Sequence, residues 1–255
     1  MRISDYPLLV FFVSLALLAG SLYAGVAIGR RRKRRSPHAE EADFAIVIGG
    51  TLTLLGLVVS FAFAMAVARY DQRKMFEEEE ANAIGTEYLR VGLLGPAAAR
   101  SLRARLRDYT DLRIAFYSTR DDASLAALGE RTATVENAMW SIVEAAANDN
   151  PTPPALAAVI GMNDVINRRG YTQFAWSNRI PRAAWGLMLS MAICGHVLLG
   201  EGAKNPQRER FVVIALPLVI SIAFFLIADI DSARHGIIRV APDDLLALAA
   251  ALKAS

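Results

Sequence analysis

Along one apolar stretch of this 255-residue chain, Gly56, Ser60, Ala64 and Ala68 recur at intervals of four, which places four small side chains on one face of a helix. In lipid such a face lets helix backbones approach closely, and van der Waals contact replaces the missing hydrophobic drive. Three readings stay open for it: packing within one chain, contact between copies in a homo-oligomer, or the wall of a pore. Phe61 and Phe63 fall on other faces, where they meet lipid or, if turned inward, form an apolar constriction. Just beyond lie Arg69, Arg73 and Lys74. Arginines at i and i+4 share a helix face, so they either concentrate small anions such as chloride at an oligomeric mouth or snorkel to headgroups.

Glu77, Glu78, Glu79 and Glu80 form an acidic run on the same helix. Four consecutive residues wrap around a helix, so at most two address one partner. Calcium needs about six to eight oxygens, and salt links to Arg100, Arg103, Arg105, Arg107 and Arg113 are the simpler expectation. Asn163 lies on the apolar stripe Leu156, Val159, Ile166, where a polar residue fixes helix register once paired. His196, inside another apolar run, reads either as a proton relay or as a neutral, hydrogen-bonded histidine. Asp229 and Asp231 close the last apolar run at the depth of Arg69 and Arg182, which suits an ion pair or simple solvation.

Other chemistries are excluded. The single cysteine, Cys194, precludes a disulfide framework, and His38, His196 and His235 have no metal-ligand spacing. No phosphate loop, dinucleotide fingerprint, nucleophile elbow or zinc-protease motif occurs. No nucleophile, base and orienting group share a recognisable spacing. The chain therefore reads as neither an enzyme nor a cofactor or metal protein.

These residues sit on elements that the composition defines. Hydrophobic residues make up 54% and charged residues 21%, and the apolar residues are clumped. Pro7–Gly29, Phe44–Ala68, Ala183–Gly200 and Phe211–Ala228 are uncharged runs of 23, 25, 18 and 18 residues. A bilayer core of ~30 Å takes about 20 residues of helix, with ~17 as the lower limit. Four transmembrane helices follow, and the lipid bilayer is the first partner. The absence of proline from Phe44 to Leu94 predicts that the second span continues beyond the membrane as one helix about 75 Å long.

Between spans two and three lie helical patterns. A stripe at Leu102, Leu106, Tyr109, Leu112 and Phe116 follows the break at Gly95-Pro96. A heptad seam runs through Leu125, Leu128, Thr132, Val135, Met139, Ile142 and Ala146, and a third helix over 154–180 follows the loop at Asn148–Pro154. Gly236–Val240 suits a short extended piece, and Asp243–Lys253 an amphipathic terminal helix after Pro242. The expected fold is all-α: a first transmembrane hairpin (1–68) with a polybasic loop, an extramembrane helical bundle (69–182), a second hairpin (183–230), and a tail (231–255) with a short helix. Arg30–Arg35 after span one, with Lys204, Arg208 and Arg210 between spans three and four, place both short loops in the cytoplasm. The net charge of +3 is explained by that orientation, with no nucleic acid partner. Both termini and the 69–182 bundle are then periplasmic.

Glu80-Ala-Asn82-Ala-Ile-Gly85-Thr86, Asn163 with Asp164 and Asn167, Arg179-Ile180-Pro181, and Asp229-Ile-Asp231 followed by Gly236-x-Ile238-x-Val240 resemble the bacterial bestrophin-like membrane family, over roughly 44–240. Ser232-Ala233-Arg234 departs from the Arg-Pro-Phe that the family tends to carry. The resemblance implies four spans and a helical domain between spans two and three, and the expected location is a bacterial inner membrane. True bestrophins, its distant kin, are pentameric calcium-gated anion channels whose large domain is cytoplasmic, opposite to the arginine-based orientation. The function expected is an oligomeric anion or small-ion channel built around span two. The alternative is a non-conducting scaffold or envelope sensor that binds a partner through its helical domain; the absence of an ionisable pathway through the spans favours it.

Overall fold

The proline-free stretch forms one helix. In the computed structural model, which describes residues 5–35, 41–203 and 210–254, helix α2 runs unbroken over 50 residues, Glu41–Arg90, and ends in a 3-10 turn at Val91–Leu93. Before it lies α1 (Pro7–Arg35). After it come α3 (Pro96–Ser118), α4 (Asp122–Asp149), α5 (Pro153–Ser177), α6 (Arg182–Gly202), α7 (Arg210–Asp231) and α8 (Asp243–Ala254). The expected all-α class is what is found, and four helices are long and apolar enough to cross a membrane. Local chemistry sets several boundaries. Pro96 and Pro153 occupy first helical turns, where a missing N–H costs nothing. The Asp121 carboxylate accepts from Ser124 N at 2.8 Å and so caps α4. Of residues 236–240, expected as extended, 236–238 form bends and none pairs as a strand.

The chain divides into two compact units, Met1–Arg69 with Arg179–Arg239, and Tyr70–Asn178 with Val240–Ser255. In the first, α1 packs against both α6 and α7. Glycines make the α1–α6 contact close. A Cβ at Gly25 would strike the Val197 carbonyl, one at Gly29 the Glu201 carbonyl, and one at Gly200 the Leu22 carbonyl. Gly25 and Gly29 are four residues apart, the small-residue spacing that membrane helices use to bring backbones together. Helix α2 meets α6 through side chains, with Leu52 3.2 Å from the Cβ position of Gly195 and Ile48 3.0 Å from that of Gly202. Arg32 pairs with Glu201 at 2.8 Å, joining the ends of α1 and α6. Residues 36–40 of the first basic loop, and Lys204 and Arg208 of the second, lie outside the described residues.

The second unit buries Ile84 and Tyr88 of α2, Leu102, Leu106 and Tyr109 of α3, Met139 and Val143 of α4, Met162 and Val165 of α5, and Leu245 and Leu252 of α8. Two registers differ from expectation. On α4 the buried line is Leu128, Thr132, Glu136, Met139, Val143, so Val135 and Ile142 sit at its edge. A straight helix drifts off a strict heptad, and Glu136 is buried because it is paired. On α5 the buried line is Ala155, Ala158, Met162, Val165, and Asn163 is exposed. Asn163 therefore fixes no buried register: close packing at α5 uses alanine and glycine, while Leu156 and Ile160 are 60% and 58% exposed.

Candidate functional site

The membrane segment of α2 is the least buried of the four apolar spans. Only 6% of its apolar window is buried, against 33%, 28% and 44% for the other three spans. Leu55, Ala62 and Ala66 supply its buried side. Gly56, Ser60, Ala64 and Ala68 are all exposed, and a Cβ at Gly56 would meet nothing within 4 Å. The Ser60 hydroxyl donates to the Gly56 carbonyl at 2.8 Å, which leaves that face without an unmet donor. The close backbone contacts lie at Gly25, Gly29 and Gly200, and the α2 face with Gly56, Ser60, Ala64 and Ala68 is exposed in the single chain. Phe61 and Phe63 are exposed as well, Phe61 by 63%.

The three basic residues after this segment have different surroundings. Arg69 Nη1 lies 3.4 Å from Asp231 Oδ1. Arg73 is buried, and its guanidinium donates to the carbonyls of Ala175 at 3.2 Å and Asn178 at 3.4 Å. Lys74 is exposed. Arg73 is therefore a tie between α2 and the end of α5 and does not face solvent at a mouth; guanidinium suits backbone carbonyls because it offers five donors in a fixed fork.

Asp229 and Asp231 are buried carboxylates that hold backbone. Asp231 accepts from Ile180 N at 3.1 and 3.2 Å, which fixes the chain entering α6, where Pro181 is the N-cap. Arg179 donates to the Asp231 carbonyl at 2.9 Å and pairs with Asp5 at 3.1 Å. Asp229 accepts from Ile237 N at 2.7 Å and Ile238 N at 2.8 Å, closing the turn after α7. Gly236 is required there because a Cβ would run into the Asp229 carbonyl. Arg182 is exposed and takes no part. His196 of α6 is fully buried with Nδ1 2.7 Å from the Ala192 carbonyl, so that its ring is held against its own helix.

The acidic run splits among several partners, as its helical wrap requires. Glu80 pairs with Arg113 of α3 and accepts from the Thr172 hydroxyl at 3.1 Å. Burial opposes the charge of Arg113, yet Glu80 and its neighbours hold the guanidinium pKa above its ordinary value. Glu79 pairs with Arg168, which also reaches Asp164 at 3.3 Å. Glu77 is buried and accepts from Leu245 N of α8 at 2.9 Å; Glu78 is exposed. Of the five arginines offered by α3, only Arg113 meets this run among the described residues. Arg169 pairs with Glu136, which accepts from Tyr109 Oη at 3.2 Å. Asn82 is exposed, and Gly85 leaves room for Leu248, 3.1 Å from its Cβ position. Among the described residues no three His, Cys, Asp or Glu side chains converge as a metal site.

The sequence reading missed Glu87. It is fully buried, neither carboxyl oxygen has a hydrogen-bond partner among the described residues, and it faces α5 where Gly161 has no side chain. Burial pushes its pKa up to about 8, with Arg90 opposing. Nothing in its spacing separates it from a solvated glutamate. The Gly25/Gly29 spacing, in contrast, is visible in the sequence.

A sequence model of the Bestrophin-like domain matches residues 10–245. No curated protein matches the chain. Among solved structures, a variant of a bacterial bestrophin homologue from Klebsiella pneumoniae superposes with a TM-score of 0.66 at 13% identity, covering 96% of this chain and 94% of that one. A second variant of that homologue gives 0.65 at 12%, covering 96% of each chain. A structure described only as a membrane protein gives 0.61 at 12%, covering 95% of each. At these identities the likeness is one of fold.

Proposed function

The chain belongs to the bestrophin-like family, and from that premise we propose that it is an oligomeric, non-enzymatic channel for small anions whose pathway runs along α2. The observation that carries the reading is the bare apolar face of α2, with Gly56, Ser60, Ala64 and Ala68 exposed while the chain's own close helix contact lies at Gly25, Gly29 and Gly200. Small residues in such a face suit a neighbouring copy, and an apolar ring at Phe61 would gate by expelling water. Lys74, exposed beyond the end of the segment, adds positive charge there, which raises local anion concentration.

Purified protein in liposomes should pass chloride, and substitution of Phe61 or Arg69 should change the rate. Tight liposomes at high protein loading would refute conduction. For location we propose a bacterial inner membrane with both basic loops cytoplasmic and both termini and the bundle periplasmic, on the strength of nine basic residues in two short loops. Compartment-specific reporters fused at the C-terminus and within residues 119–121 test this: activity of the cytoplasmic reporter would invert the topology without touching the conduction reading.

A further inference from the structure

Three arginines of the helical bundle answer carboxylates: Arg113 has Glu80, Arg168 has Glu79 and Asp164, and Arg169 has Glu136. Arg103 and Arg107 of α3 do not. Among the described residues the ion pairs of α3 are Arg105–Asp108 and Arg113–Glu80, which leaves both of these guanidinium groups without an acid. What holds them is Tyr88 of α2, a buried residue. Their Cζ atoms lie over its ring, 5.1 and 5.5 Å from the centroid. Arg107 Nη2 donates to the Tyr88 hydroxyl at 2.6 Å, and Arg103 Nε donates to the Tyr88 carbonyl at 3.5 Å. Gly92 makes room for Arg103, because a Cβ there would sit 2.5 Å from Arg103 Nη2.

Two cations four residues apart share a helix face, with Cβ atoms about 5–6 Å apart, and they repel. The fold nonetheless fixes both of them, half-buried, with most of their N–H groups unmet. Each guanidinium offers five donors. The bonds to Tyr88 use one from each, and Arg107 Nε is buried with no acceptor among the described residues. Arg100, exposed three residues before Arg103, extends the basic line. Planar forks held in this way suit an anion with several oxygens, since each fork gives two parallel N–H···O bonds to a phosphate-type group. Chloride takes a point contact only.

We propose that Arg103 and Arg107 form a binding site for a soluble phosphoanion, either free phosphate or the terminal phosphoryl group of a small molecule. Arg100 adds charge at its rim. A lipid headgroup does not fit, because Tyr88 lies twenty residues beyond Ala68, ~30 Å along the helix from the end of the uncharged run. The bound anion removes the repulsion between the two arginines and ties α3 to the end of α2. The site stands whether or not the protein conducts.

Isothermal titration calorimetry of the full chain in detergent, in chloride buffer at constant ionic strength, tests the site with inorganic phosphate and glycerol phosphate as probes. Saturable binding is expected: of phosphate alone if the free anion is the ligand, and of the monoester too if a terminal phosphoryl group is. Arg103→Gln should weaken binding by about tenfold or more. Arg103→Lys keeps the charge but not the fork and should weaken it as well. Arg105→Gln removes the same charge from another face of α3 and should bind like the wild type. No saturable binding in the wild type would overturn the inference, as would full binding in Arg103→Gln or Arg103→Lys, or an equal loss in Arg105→Gln. If the Arg103 variants do not fold, Arg107→Gln reads the other fork, and full binding there overturns the site while a tenfold loss supports it.

Discussion

Glu80 and Arg113 form an ion pair inside the helical bundle with side chains 0% and 2% exposed. A charge so placed is tolerated only while its partner remains, because removing either leaves the other desolvated and alone. Glu80→Ala should therefore lower bundle stability by about 3–5 kcal/mol in denaturant unfolding. Replacing both residues by leucine should recover a large part of that loss. A single-variant cost under about 1 kcal/mol would mean that the pair is solvated.

Two sets of membrane glycines should respond in opposite ways. Gly25→Leu must push α1 off the α6 backbone at Val197, and overpacking of this kind costs at least about 1–3 kcal/mol. Gly56→Ala adds a methyl where nothing lies within 4 Å in the single chain and should leave protomer melting unchanged while altering assembly or flux. Equal effects on protomer melting from the two substitutions would contradict this division of roles.

That contrast also shows what the sequence could disclose. Uncharged run length is a direct consequence of bilayer thickness, so all four spans were legible, and the missing proline announced the length of α2. Burial inside the bundle was less legible. Periodicity weights large side chains, and at α5 the large ones, Leu156 and Ile160, point outward while Ala155 and Ala158 make the contact. Charged residues read as exposed by default, which is why burial of Arg73, Glu77 and Glu87 had no signature; each depends on a partner or a gap supplied by a distant segment. The Asp229/Asp231 pair was visible as chemistry, but its duty to backbone amides required the turn around Gly236.

Glu87 makes the bundle sensitive to alkali. Its pKa is raised from 4.5 to about 8, so the folded state holds a proton that the unfolded chain has released, and stability falls as pH rises from about 4.5 through about 8, by up to about 1.4 kcal/mol per unit. Thermal melts across that range should shift downward with pH, and Glu87→Gln should remove its share of the slope. Melts of Glu87→Gln that keep the full wild-type slope would show that this carboxyl is ionised throughout.

In the proposed channel, water and anions pass along α2. Cysteine scanning over residues 54–68, in a Cys194→Ala background because Cys194 is exposed, tests it most directly, with chloride flux from liposomes read before and after a water-soluble thiol reagent. Flux is expected in the background protein, with block at positions recurring every three or four residues on one face of α2. Flux that no position in the scan can block, or block scattered without helical period, would contradict it.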